Sequence, residues 1–247
     1  MTDEPEPPDA PPEPQPSTPA PTREPRASKR VAWDAAWHRF VPAFWLMGLL
    51  LASNVALAVC IRVWGDTLVG DAVVTALDAA IVGAFVLHEW PAVRAALRVR
   101  HLGWRDWLLA GGALVAIGVV VQLWFFIGAR VFEILEVLEP FRENGWPPWS
   151  AVVLVVLCPA VVEELAFRGF LLERLEPLIG RRDALLLQAA LFAILHMLPA
   201  MLPSHFWMGL VLGVVRIRTG SLVPCMCVHG AWNLFVLIEE GLLEAWP

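Results

Sequence analysis

From Val41 onward the chain is a series of apolar blocks separated by short polar segments, at 41–62, 68–90, 107–129, 149–171, 183–200, 205–217 and 221–238. A helix needs roughly 20 residues to cross the hydrocarbon of a bilayer. In lipid, every backbone polar group must be satisfied within the protein, which favours helices over open strands. The first four blocks are long enough. The fifth and seventh are slightly short, and 205–217 is clearly short. The pattern predicts an all-α, polytopic transmembrane helical bundle with about seven spans. The helix begun at 149 is expected to run on toward Leu178 and break at Gly180, although Pro177 disfavours a helical Glu176. That extension matters for depth, since without it Glu163 would lie nearer the membrane surface than His196.

The segments around the blocks divide the chain. Residues 1–30 are rich in Pro and nearly devoid of large apolar side chains, so they cannot bury enough surface to offset ordering entropy. Residues 1–40 are therefore expected to be a disordered, Pro-rich cytoplasmic tail; the acidic start, with no apolar run, does not read as a signal peptide. Residues 41–147 hold the first helices and an acidic extracytoplasmic connection. In that connection Glu133, Glu136 and Glu139 recur every three residues, predicting a short interfacial helix; Pro147 and Pro148 then end the connection and start the fourth span. Residues 148–240 form the chemical half of the chain, because the ionisable residues inside spans concentrate there.

Composition agrees with lipid as solvent. The 247 residues are 58% hydrophobic and 17% charged, against about 45–50% and about 25% in soluble domains. The 13 Trp suit membrane–water interfaces. The formal charge of −6 comes from the acidic tail, so there is no nucleic-acid signature. Of the 18 Lys and Arg, all but Arg62, Arg130 and Arg142 fall on one side of a seven-span alternation. This count includes Arg168, Arg174, Arg181 and Arg182 at the fourth-to-fifth turn. Basic residues favour the cytoplasm, which predicts a cytoplasmic N-terminus in the cell membrane. Cys60, Cys158, Cys225 and Cys227 lie in apolar segments without disulfide spacing and are expected to be small buried packing residues.

Within the fourth block, Glu163 and Glu164 stand side by side in an otherwise apolar helix. A charged residue there costs about 2.5–3.5 kcal/mol, so it lines a cavity or finds a partner. Glu164 and Arg168 share a helix face and can pair. Glu163 projects about 100° away with no opposite charge in its own helix, and is suited to act as a general base. The fifth block supplies Phe192-x-x-x-His196, and the last His229-x-x-x-Asn233, whose two polar residues share a face. A carboxylate and an imidazole can polarise a water that attacks a peptide carbonyl. A second imidazole and an amide N–H can donate to the resulting oxyanion. The division of labour is Glu163 with His196 for the water, and His229 with Asn233 for the oxyanion. Ser204 and Ser221 form no triad. Two His and a Glu are also a zinc set, though without the His-Glu-x-x-His helical signature; the expectation is no cofactor and no metal, with zinc as the rival chemistry.

The ordered set Glu163-Glu164-x-x-x-Arg168, Phe192-x-x-x-His196 and His229-x-x-x-Asn233 on successive apolar helices resembles the CPBP family, the CAAX proteases and bacteriocin-processing enzymes, over about residues 148–240. The resemblance implies a glutamate-type intramembrane endopeptidase. It implies that Glu163 and His196 activate water with Glu164 and Arg168 in support, and that His229 and Asn233 form the oxyanion site. Asn in the last motif is as in type II CAAX prenyl proteases, so the implied partner is a membrane-associated peptide or lipidated protein within the bilayer. Two other classes fit intramembrane Glu and His: a proton-coupled transporter, against which the lack of an internal repeat counts, and a non-catalytic immunity or scaffold protein. Neither the oligomeric state nor the identity of the substrate is legible in the sequence.

Overall fold

The structure is a computed structural model describing residues 26–65, 68–99, 101–131 and 136–244. Among these residues the regular elements are helices: α1 (Arg26–Trp64), α2 (Leu68–His88), α3 (Trp90–Ala96), α4 (Trp104–Gly128), α5 (Glu139–Glu143), α6 (Pro148–Ile179), α7 (Arg181–Leu195), α8 (Leu202–Thr219) and α9 (Val223–Glu239). The chain divides into two units after Ala35; of the first, 26–35 are described and helical, and the described residues from 36 onward form the bundle. The expected tail thus lies outside the described residues up to position 25, whereas 26–40 are helical rather than irregular.

Five helical segments are long and apolar enough to cross a bilayer: Ala36–Val63, Leu68–His88, Trp104–Gly128, Pro148–Ile179 and Pro199–Thr219, with the shorter apolar Val223–Glu239 beside them. The protein is an integral membrane protein. Its outward faces are apolar, as lipid requires. On α4, Leu108, Val115, Val119 and Phe126 are exposed, while the small Ala110 and Ala113 with Ile117 and Val121 face inward. Exposed Trp104 and Trp149 mark helix starts.

Block lengths change where proline acts. The block 183–200 ends as a helix at Leu195, since Leu198 precedes Pro199 and is extended. A 3-10 turn, Pro199–Met201, then leads into α8, so the block that looked clearly short is part of a 21-residue span. The fourth helix does continue to Ile179, with Pro177 inside it, and breaks at Gly180, whose φ of 84° suits glycine. Two stretches of α6, Val152–Leu157 and Leu165–Leu171, are wound as π-helix.

Contacts define the two ends of the bundle. At one end Glu89 pairs with Arg174, Glu173 with Arg216, and Glu176 with Arg181. The Leu222 N–H donates to Ala96 O nearby. At the other end Glu240 accepts the N–H groups of Val137 and Leu138, and Arg142 donates to Gly241 O. These bonds hold 137–138 out of helix, so the short interfacial helix is Glu139–Glu143 rather than one through Glu136; Glu133 lies outside the described residues. Arg168, counted as a surface base, is instead fully buried in mid-helix because α6 runs past it. Of the cysteines only Cys225 is buried; Cys60 and Cys227 are exposed on outward faces and Cys158 is half-buried, all four as free thiols.

A close approach of two helices supports the site directly. A Cβ on Gly209 of α8 would lie 2.8 Å from Ala189 Cα of α7, and one on Gly213 would meet Leu185 and Gln188. The Gly-x-x-x-Gly spacing lets the two backbones touch. The buried Gly209 carbonyl then accepts from Gln188 Nε2 at 2.9 Å and Arg168 at 3.3 Å.

Candidate active site

The extension of α6 brings Glu163 and His196 to one depth. Glu163 lies about 24 Å along α6 from Ile179, and His196 about 22 Å along α7 from Arg181, at 1.5 Å per residue. His196 closes α7, and the next residue, Met197, has φ of 55°, a left-handed conformation unusual for a non-glycine. The chain turns there within one residue and leaves the imidazole at the helix tip. Phe192 fixes that ring twice. Its carbonyl accepts a hydrogen bond from His196 Nδ1 at 2.8 Å, and its ring meets the imidazole edge to face, centroids 4.9 Å apart. The carbonyl can only accept, so the neutral ring carries its proton on Nδ1 and offers Nε2 as a lone pair.

The adjacent glutamates point to different surroundings. Glu164 is fully buried; its Oε1 accepts from Arg168 at 2.8 Å and lies 2.9 Å from His229 Nδ1. The Arg168 guanidinium lies over the Phe192 ring, 4.5 Å from its centroid. Arg168, Glu164 and His229 thus form a charged, hydrogen-bonded chain from α6 to α9. Glu163 remains outside it, with its side chain 29% exposed. Glu163 Oε2 has no hydrogen-bond donor among the described residues and stands 3.8 Å from His229 Nε2.

Glu163, His196, His229 and Asn233 all line one cavity of about 490 Å³, while Glu164 and Arg168 sit behind its wall. The remaining walls are mostly apolar and include Val121, Phe125, Leu154, Trp232 and Val236. The structure therefore gathers the six predicted residues around one space. One detail differs from the expected division: Asn233 Nδ2 donates to the backbone carbonyl of Val155 at 2.8 Å. A carboxamide has two N–H donors, so one remains for the cavity.

Two groups escaped the sequence reading. His205, near the start of α8, lines the same cavity, its ring centroid 3.9 Å from that of His196. Its signal was a histidine at the first position of an apolar block, nine residues beyond His196. Asp78 of α2 accepts from Ser53 and, at 3.2 Å, from Asn54, both on α1. With Asn54 and Thr75 it lines a second cavity, of about 260 Å³, that shares Pro159, Glu163 and His196 with the first. An Asp in the middle of an apolar block was the available signal. Among the described residues no group of three His, Cys, Asp or Glu side chains is arranged to hold a metal ion.

Comparison with known proteins adds one finding. Residues 145–235 match a family model described as Rce1-like, type II CAAX prenyl endopeptidase Rce1-like. The matched segment contains all six predicted site residues and His205. No curated protein and no solved structure matched the chain.

Proposed function

From a segment similar to the Rce1-like type II CAAX prenyl endopeptidases, we propose that this chain is an intramembrane endopeptidase. It hydrolyses a peptide bond in a membrane-anchored or lipidated substrate with water activated by Glu163 and His196. The observation that carries this reading is the convergence of a carboxylate from α6, imidazoles from α7 and α9, and a carboxamide from α9 on one cavity within the membrane-spanning helices.

The chemistry follows from the groups. Glu163 accepts one proton of the water while His196 Nε2 accepts a hydrogen bond from the other, and the water oxygen bonds to the carbonyl carbon. Charge then develops on the carbonyl oxygen. The second N–H of Asn233 is one donor to it. His229 donates from Nε2 when it carries both protons, and Glu164 is the carboxylate that supports such an imidazolium through Nδ1. As the C–N bond breaks, Glu163 returns its proton to the leaving amine. The apolar walls of the cavity suit an apolar or lipid-modified substrate segment. The basic end of the bundle, with Arg174, Arg181 and Arg216, faces the cytoplasm in this reading, and the N-terminus lies on the same side of the cell membrane.

The test compares membrane peptides in cells carrying the native chain and cells carrying Glu163→Gln at equal abundance. Peptides that accumulate uncut only in the variant are the expected result. Identical peptide populations would refute hydrolysis, and loss of ion-coupled uptake in the variant would point to a transporter.

A further inference from the structure

The reaction as proposed leaves one imidazole of the cavity without a task. His205 Nδ1 lies 3.0 Å from Met201 O. A carbonyl only accepts, so the neutral ring holds its proton on Nδ1. Ser204 is consistent with this tautomer. Its hydroxyl donates to Met201 O at 2.9 Å, leaving its oxygen, 3.2 Å from His205 Nδ1, as an acceptor. The ring stands against both Phe192 and His196. Its Nε2, like that of His196, is a lone pair on a residue lining the cavity with Glu163. The Glu163 carboxylate is also acceptor-only. This wall therefore offers three acceptors.

The reaction has a matching set of protons. The attacking water carries two: one passes to Glu163, and the other stays on the oxygen, hydrogen-bonded to His196. The other proton-bearing group at a scissile amide is its N–H. We propose that His205 Nε2 accepts the hydrogen bond of the scissile N–H and turns the developing nitrogen lone pair toward Glu163. This role rests on the peptidase reading above. When the water oxygen bonds to the carbonyl carbon, one water proton passes to Glu163 and the nitrogen becomes pyramidal. When the C–N bond breaks, its electron pair stays on nitrogen, which takes the proton from Glu163. His205 neither gains nor loses a proton; it holds the leaving group, and so contacts the reacting atoms.

The experiment uses the purified full chain and two versions of a prenylated CAAX-type peptide, one with the scissile amide and one with an ester oxygen replacing its N–H. His205→Leu is expected to lower kcat on the amide at least about tenfold, the factor that follows from losing one well-placed hydrogen bond. On the ester it is expected to stay within about twofold of the native chain. His205→Gln, whose Oε1 can accept, is expected to retain more of the amide rate than His205→Leu. Thermal unfolding of each variant reports whether it folds. Equal losses on amide and ester would show a packing role and overturn the proposal, as would no loss on either. A native chain that cleaves neither peptide, or a Glu163→Gln variant as fast as native, would overturn the peptidase reading itself.

Discussion

Asn233 Nδ2 donates to Val155 O at 2.8 Å, and Val155 lies four residues before Pro159. The bond falls where Pro159 interrupts the backbone ladder of α6. Proline has no N–H to give the carbonyl four residues back, and its ring crowds that carbonyl. The preceding turns, Val152–Leu157, are correspondingly widened to π-helix. The carboxamide of α9 supplies a donor to this carbonyl from outside α6. Asn233 thus ties α9 to α6 at the level of the cavity with one of its two N–H donors.

This pairing makes a stability prediction. Asn233→Leu leaves the Val155 carbonyl short of a donor and is expected to cost about 1–3 kcal/mol. In a Pro159→Ala background the backbone N–H at 159 is restored, so the same substitution is expected to cost less. A double-mutant cycle on thermal unfolding in detergent measures the difference. Strictly additive costs would separate Asn233 from Pro159.

Glu163 and Glu164 are expected to respond oppositely to the same substitution. Glu164→Gln strips Arg168 of its charged partner in a fully buried site, at a cost of about 3–5 kcal/mol. Glu163→Gln breaks no ion pair shorter than 3.8 Å among the described residues and is expected to unfold near the native temperature while losing hydrolysis. Unfolding temperature and peptide cleavage, measured on both variants, separate the two roles.

Gly209→Ala is expected to destabilise the bundle by about 1–3 kcal/mol. Its new methyl would meet the Ala189 backbone at 2.8 Å, and backbone cannot step aside as a flexible side chain can. It would also push the Gly209 carbonyl away from Gln188 and Arg168. Gly112→Ala on α4 meets nothing within 4 Å and is expected to be neutral or to gain up to about 1 kcal/mol from helix propensity. Thermal unfolding of the two variants side by side is the measurement.

Asp78→Leu removes the acceptor shared by Ser53 and Asn54. Asn54 keeps its second bond, to Leu50 O at 2.8 Å, as does Ser53 to Leu50 O at 2.9 Å. The stability cost is therefore expected to be about 1 kcal/mol, below that of Glu164→Gln. Because Asp78 shares a cavity with Glu163 and His196, the variant is also expected to change KM for peptide cleavage more than it changes unfolding. Steady-state kinetics alongside thermal unfolding checks both.

The primary structure by itself determined the helical, membrane-embedded class, because blocks of apolar residues that long have no stable alternative in water. It also determined the pairing of Glu164 with Arg168 and the shared face of His229 and Asn233, since both are four-residue spacings that any helix places together. Phe192 and His196 were legible for the same reason. What it could not determine were relations between helices. That Asn233 reaches Val155, that His229 joins Glu164, that His205 stacks on His196, and that Asp78 faces Glu163 depend on rotations and crossings of separate helices. Those are set by close packing at small residues such as Gly209 against Ala189, and a spacing within one helix does not name its partner on another. Arg168 is the clearest case. Its neighbours in sequence allowed either a surface base or a buried ion, and the continuation of α6 with the carbonyl of Gly209 decided for the buried ion.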